Sequence, residues 1–190
     1  MIVYKGTNTL QINTLHWVLA SGLIRDLSVA VDGGANVGEW SEVMARWFKT
    51  VHAFEPGGMF RATAPNIVLH ERALLDRVCR ATLNTKGKDR GWSVRADKRG
   101  QLRATTIDAL RLKSCGFIKL DLEGADGLAV LGGLKTLKRF GPVVMIEMGK
   151  QSRRCPGIRD EDIRTVLGGL GYQQAHRVES DFIFARNDGL

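Results

Sequence analysis

The sequence predicts an α/β protein built on a mostly parallel sheet with helices between its strands. Three observations carry this: apolar runs of strand length recur along the chain, helical patterns lie between several of them, and the C-terminal stretch ends as helix, strand, turn, strand. The apolar runs are residues 29–31, 51–54, 67–69, 117–120, 143–146 and 182–184. Near-continuous apolar character is what strands covered on both faces require. After the first run a glycine-rich turn leads into a helix with Trp40, Val43, Met44 and Trp47 on one face, expected to pack in the core. Residues 76–103 are polar and basic, with β-like stretches at 78–83 and 91–95, and are expected to form an inserted hairpin or flap at the rim of the sheet. Leu128, Leu131, Leu134 and Leu137 mark a helix from about Ala125, expected to run until Gly141-Pro142 stops it. Asp160, Glu161 and Asp162 load the start of a later helix with charge that the macrodipole favours, and Ile163, Val166, Leu167 and Leu170 form its apolar stripe. A hairpin of strands at 172–178 and 182–186 completes what is expected to be one domain over residues 1–190.

Composition excludes several classes. At 44% hydrophobic and 25% charged residues the chain has the balance of a soluble globular protein, and the apolar run at 15–24 is interrupted by His16, Ser21 and Gly22. Neither a membrane span nor a secretory leader is expected. Cys79, Cys115 and Cys155 form no CxxC pair and no even framework, which points to a reducing, cytoplasmic setting. His16, His52, His70 and His176 lack ligand spacing, so no metal is expected and each is read as packing or surface. The net charge is +8, and within 86–103 Lys86, Lys88, Arg90, Arg95, Lys98, Arg99 and Arg103 face only Asp89 and Asp97. That asymmetry fits either a solvated loop or a contact for an anionic substrate. Trp92, inside it, is a candidate for stacking on a sugar ring or for anchoring the flap.

The chemistry begins at "VDGGANVGEW", where Asp32, Gly34, Asn36 and Gly38 set out Asp-x-Gly-x-Asn-x-Gly between strand and helix. A P-loop would need Gly-Lys-Ser/Thr, and a carboxylate opening the turn would repel a pyrophosphate. S-adenosylmethionine carries no phosphate but has an ammonium and a sulfonium, which a carboxylate suits, and glycines let the backbone approach it. Glu55, 23 residues after Asp32 in "VHAFEP", ends the next strand where a carboxylate can accept two ribose hydroxyls. In "FIKLDLEGADGLAVLGGL" a buried strand delivers Asp121 and Glu123 to the same edge. Burial and mutual repulsion are expected to raise at least one pKa in such a pair, which suits a general base, whereas Glu123 alone also fits a helix N-terminal acid. Glu147 is a further acid at a strand end.

"VDGGANVGEW", "VHAFEP", "ERALLD", "TTIDAL", "FIKLDLEGADGLAVLGG" and "GPVVMIE", in that order over about residues 29–150, resemble the FkbM family of class I S-adenosylmethionine-dependent methyltransferases. The resemblance implies a Rossmann-like, seven-stranded sheet with an antiparallel C-terminal strand and helices on both faces. It implies a cofactor held by Asp32, Gly34, Ala35, Asn36, Gly38 and Glu55, with Asp121 in the methyl-transfer cleft and Ala73 and Leu74 flanking the adenine at the end of the third strand. It implies O-methylation, often of sugar hydroxyls. Asp121 and Glu123 are then the candidate catalytic pair, and Glu147, Trp92, Lys88 and Arg90 the candidate acceptor contacts. The chain departs from the family between Glu55 and Asn66, too short for the usual full helix, so an abbreviated crossover and a more open adenine side are expected. With about thirty residues before the turn, little of an N-terminal lid over the acceptor is expected from them. A nucleic-acid methyltransferase, a nicotinamide-dependent dehydrogenase and a cofactor-binding scaffold without turnover stay open as alternatives.

Overall fold

A computed structural model describes residues 9–84, 93–149 and 158–186. Its first element is a helix that the sequence pattern did not announce, α1 (Thr9–Ala20), which seats Leu15 and Val18 in the core. Then follow β1 (Val29–Gly33), α2 (Glu39–Met44), β2 (Thr50–Phe54) and β3 (Ile67–His70). After the small strands β4 (Ala73–Leu74), β5 (Cys79–Asn84), β6 (Ser93–Ala96) and β7 (Leu102–Thr105) come β8 (Phe117–Leu120), α3 (Asp126–Leu131), α4 (Leu134–Phe140) and β9 (Val143–Glu147). The chain closes through α5 (Asp160–Gly169), β10 (Tyr172–Val178) and β11 (Asp181–Arg186).

The main sheet has seven strands in the order β10-β11-β9-β8-β1-β2-β3, parallel except that β11 runs antiparallel to both neighbours. Side chains alternate across it, and the two faces carry separate cores. Val31, Ile118, Leu120, Val144 and Ile146 meet Ala129, Val130, Leu137, Ile163 and Leu167 of α3, α4 and α5. Ala30, Phe117, Val143 and Met145 meet Leu15, Val18, Trp40, Val43 and Met44 of α1 and α2. The doubly wound fold expected from the sequence is the fold observed. Order reverses between β8 and β2, so the carboxyl ends of β1 and β8 open a crevice there.

A second sheet, in the order β4-β7-β5-β6, stands beside the first. Its β5 and β6 pair antiparallel as a hairpin, with Leu83 opposite Val94. Ala73 and Leu74 are not the end of the third strand: they pair with Ala104 and Thr105 in this second sheet, because Arg72 turns the chain away after His70.

Two other expectations change, and a histidine pair appears that the sequence did not announce. The helix from Ala125 is two helices broken at Gly132-Gly133, since the carbonyl of Leu75 lies where a Cβ of residue 132 would be. Across the break Asp108 accepts bonds from the amides of Lys135 (3.0 Å) and Thr136 (2.8 Å) and so caps α4 from another segment. Trp47 lies beyond the end of α2 and is half exposed rather than in the core. His52 and His70 are partners, with Nδ1 and Nε2 2.9 Å apart and His70 stacked on Phe54. Burial, then the charges of His52 and Arg72, pushes His70 down to about 4.

The crossover after β2 is abbreviated as expected, with no helix over residues 55–66. The strap lies across α2: Glu42 accepts from the amides of Thr63 and Ala64, and Asn66 donates to the carbonyls of Ala45 and Phe48. Gly38 meets this strap with φ +94°, and a Cβ there would come within 2.6 Å of Ala62. No described helix is long and apolar enough to cross a membrane.

Candidate functional site

The crevice holds a cleft of about 390 Å³ lined by Gly34, Asn36, Glu55, Pro56, Met59, Leu83, Val94, Asp121, Leu122 and Glu123. Four of the expected cofactor contacts, Gly34, Asn36, Glu55 and Asp121, therefore share one space with Glu123. Local backbone explains how. Gly34 takes φ +74° and Asn36 φ +51°, so the turn doubles back, and a Cβ on residue 34 would overlap the Asp121 carbonyl. The glycine turn after β1 is thus pressed against the loop after β8.

Glu55, nearly buried, braces that turn. Its Oε2 accepts from the Asn36 amide at 3.0 Å and its Oε1 from the Gly57 amide at 2.6 Å. Each oxygen keeps a further lone pair for a hydroxyl donor.

Asp32 does not line the cleft. It is fully buried, its Oδ1 3.1 Å from Nζ of Lys119 and its Oδ2 accepting from the Ser41 hydroxyl at 2.6 Å. The expectation that Asp32 meets the cofactor's positive charge directly is corrected: Asp32 is fully buried, and register sets it beside Lys119 on one face of the sheet, outside the cleft lining. Ala35 and Gly38 shape the turn without lining the cleft, and Ala35 bonds through its amide to the Phe54 carbonyl. Ala73 and Leu74, expected beside the adenine, are buried and do not line it either. Instead the cross-strand pair Leu83 and Val94 forms a wall, with Met59 and Leu122 also lining the space. Two apolar residues in an otherwise polar flap were the signal in the sequence. Trp92, Lys88 and Arg90 lie outside the described residues.

The acids beyond the cleft rim are crowded. Asp121, 30% exposed, sits 3.9 Å from Lys119. Glu147, from the end of β9, accepts from the Ser180 hydroxyl at 3.3 Å, and burial followed by the Asp121 charge pushes it up to about 8. Asp181, opposite Glu147 at the start of β11, is pushed up to about 6 by burial and by Asp121. Asp126 is wholly buried under the loop, accepting from the amides of Leu122 (2.9 Å) and Gly124 (3.1 Å), which holds Glu123 and Gly124 in left-handed conformations. Burial dominates its titration and raises it to about 7. Lys119 is pulled both ways: burial draws its ammonium down, but Asp32 and Asp121 outweigh that and hold it above the ordinary lysine value. Among the described residues no group of three or more His, Cys, Asp or Glu side chains is placed to hold a metal ion.

No curated protein matches the chain. Among solved structures, a methyltransferase FkbM from Methylobacillus flagellatus KT aligns with a TM-score of 0.61 and 20% identity over 87% of this chain and 45% of that one. This chain thus spans less than half the length of that protein. Magnesium protoporphyrin IX methyltransferase (ChlM) from Synechocystis PCC 6803, solved with bound SAM, aligns at TM-score 0.51 and 13% identity, covering 97% of this chain and 87% of that one. The N-methyltransferase NodS from Bradyrhizobium japonicum WM9 aligns at 0.51 and 14%, covering 94% and 95%. At these identities the likeness is one of fold. The family is decided by sequence: the model of the methyltransferase FkbM domain matches residues 32–173, from the buried acid of the glycine turn to the first residues of the closing hairpin, and the chain belongs to that family.

Proposed function

We propose that the cleft binds S-adenosylmethionine and that the protein methylates a hydroxyl group of a sugar or a related small or glycan acceptor. The observation that carries this is the cleft itself, which gathers the glycine turn, Glu55, Asp121 and Glu123 in a chain of a methyltransferase family. The lining also fits the ligand chemically: carboxylates suit an ammonium and a sulfonium, and Leu83, Val94, Met59 and Leu122 suit an adenine ring. When bound, this cofactor supplies a methyl group on a sulfonium and leaves as a neutral thioether.

The chain's own residues do the rest. Glu55 accepts the ribose hydroxyls while its backbone bonds hold the turn closed. Asp121, facing the cleft, takes the proton of the acceptor hydroxyl as that oxygen becomes the nucleophile. Glu123 lines the same rim, and Glu147 stands behind Asp121. Arg95, Lys98, Arg99 and Arg103 are all exposed, and this basic set supports an acceptor bearing an anionic group. Trp92, Lys88 and Arg90 of the same segment are its further proposed contacts. The free thiols of Cys79 and buried Cys115 fit a cytoplasmic compartment.

Calorimetry with S-adenosylmethionine, its demethylated product and a nicotinamide cofactor tests the cleft, and a radiolabelled-methyl screen over glycans, nucleotide sugars and nucleic acid tests the acceptor. Heat with the first two and label on a glycan support the proposal. Heat with the nicotinamide cofactor alone overturns it, and label confined to nucleic acid replaces the acceptor class.

A further inference from the structure

β8 is buried on both faces, yet its third residue is a lysine, 3% exposed. Strand register sets Lys119 directly beside Asp32 of β1. Its Nζ lies 3.1 Å from Asp32 Oδ1, 3.0 Å from the Gly34 carbonyl and 3.9 Å from Asp121 Oδ2, and 5.6 Å from the centre of the Trp40 ring. A buried ion pair is seldom a device for stability, since well-packed apolar residues of similar volume do as well or better. This one stands between the glycine turn and the acid that faces the cleft, with Asp32 fastened behind it by Ser41.

We infer that Lys119 is a positioning residue for methyl transfer: held by Asp32 and by the Gly34 carbonyl, its ammonium keeps the Asp121 carboxylate aimed into the cleft. The inference rests on the methyltransferase reading of the cleft. The groups that face Asp121 are Glu147 from β9, Asp181 from β11, Asp126 and Glu123 from its own loop, and Lys119 with Asp32 behind it; Glu179 adds its charge at Asp181. The first four are carboxyls, and Lys119 is the cation set among them. Without that cation, repulsion from the surrounding acids would turn the Asp121 carboxylate out of its line to the acceptor hydroxyl.

Removing Lys119 alone would strand Asp32 as a buried charge, so the test removes both charges in an Asp32→Asn/Lys119→Met variant. Methyl-transfer kinetics of wild type and variant, on the acceptor that the radiolabel screen identifies, are run beside calorimetry with S-adenosylhomocysteine. In the folded variant kcat at saturating cofactor should fall at least about tenfold while the affinity for S-adenosylhomocysteine stays within about threefold of wild type. A Lys119→Arg variant keeps the cation but changes its reach, and its kcat should fall in the same way with affinity kept, a result available even if the double variant does not fold. Wild-type kcat in either folded variant overturns the inference. Absence of heat with wild type overturns the methyltransferase reading itself, whereas heat with an unmoved kcat overturns only the role of Lys119.

Discussion

Asp32, Glu55 and Asp121 all sit at strand ends, and burial divides their work. Asp32 is engaged by Lys119 and Ser41, Glu55 by the glycine turn with lone pairs to spare, and Asp121 alone keeps substantial exposure. A Glu55→Ala change should weaken binding of S-adenosylhomocysteine by about 1.5–3 kcal/mol, the range for hydrogen bonds to a charged group. Unchanged affinity by calorimetry would take Glu55 out of the site. Asp121→Asn should preserve the fold and most of the cofactor affinity while turnover falls roughly 10²- to 10⁴-fold. If saturating cofactor restores wild-type turnover, Asp121 holds the cofactor and is not the base.

At the level of elements, the departures from simple periodicity all trace to another segment pressing in. The Leu75 carbonyl splits the helical run at Gly132, the strap of residues 55–66 crosses α2 at Gly38, and Asp108 supplies the cap that α4 lacks in its own sequence. An Asp108→Ala variant leaves the amides of Lys135 and Thr136 uncapped and should lose about 1–2 kcal/mol in a denaturant melt. A loss within error would mean that water replaces the cap. Among the described residues of β5 and β6, Leu83 and Val94 line the cleft, and their side chains share a face because they are cross-strand partners.

For the whole molecule, the buried acids set a pH dependence of stability. Asp126 at about 7 and Glu147 at about 8 keep protons in the folded state that the unfolded chain, at 3.8 and 4.5, has lost. Their contribution is therefore full below the unfolded values and disappears as pH rises through the folded ones. His70, lowered to about 4, acts in the opposite sense up to 6.5, so the clean window lies above that. The Tm should fall between about pH 6.5 and pH 8, and Asp126→Asn should flatten the slope. A wild-type Tm that rises over this window would contradict the assignment of protons to these acids.

Apolar runs of strand length, the glycine turn and the acids that follow three strands are local patterns, and they determined the α/β class, the parallel strands and the closing hairpin from sequence alone. Gly34, Asn36, Glu55, Asp121 and Glu123 were legible for the same reason: each lies at the carboxyl end of a strand, and parallel strands bring such ends to one edge. The partnership of Asp32 with Lys119, the pairing of His52 with His70, the departure of Ala73 and Leu74 to a second sheet and the apolar wall of Leu83 and Val94 were decided only by tertiary structure. Each depends on which strands become neighbours and in what register. That is a property of contacts between residues far apart in the chain, and no local period encodes it.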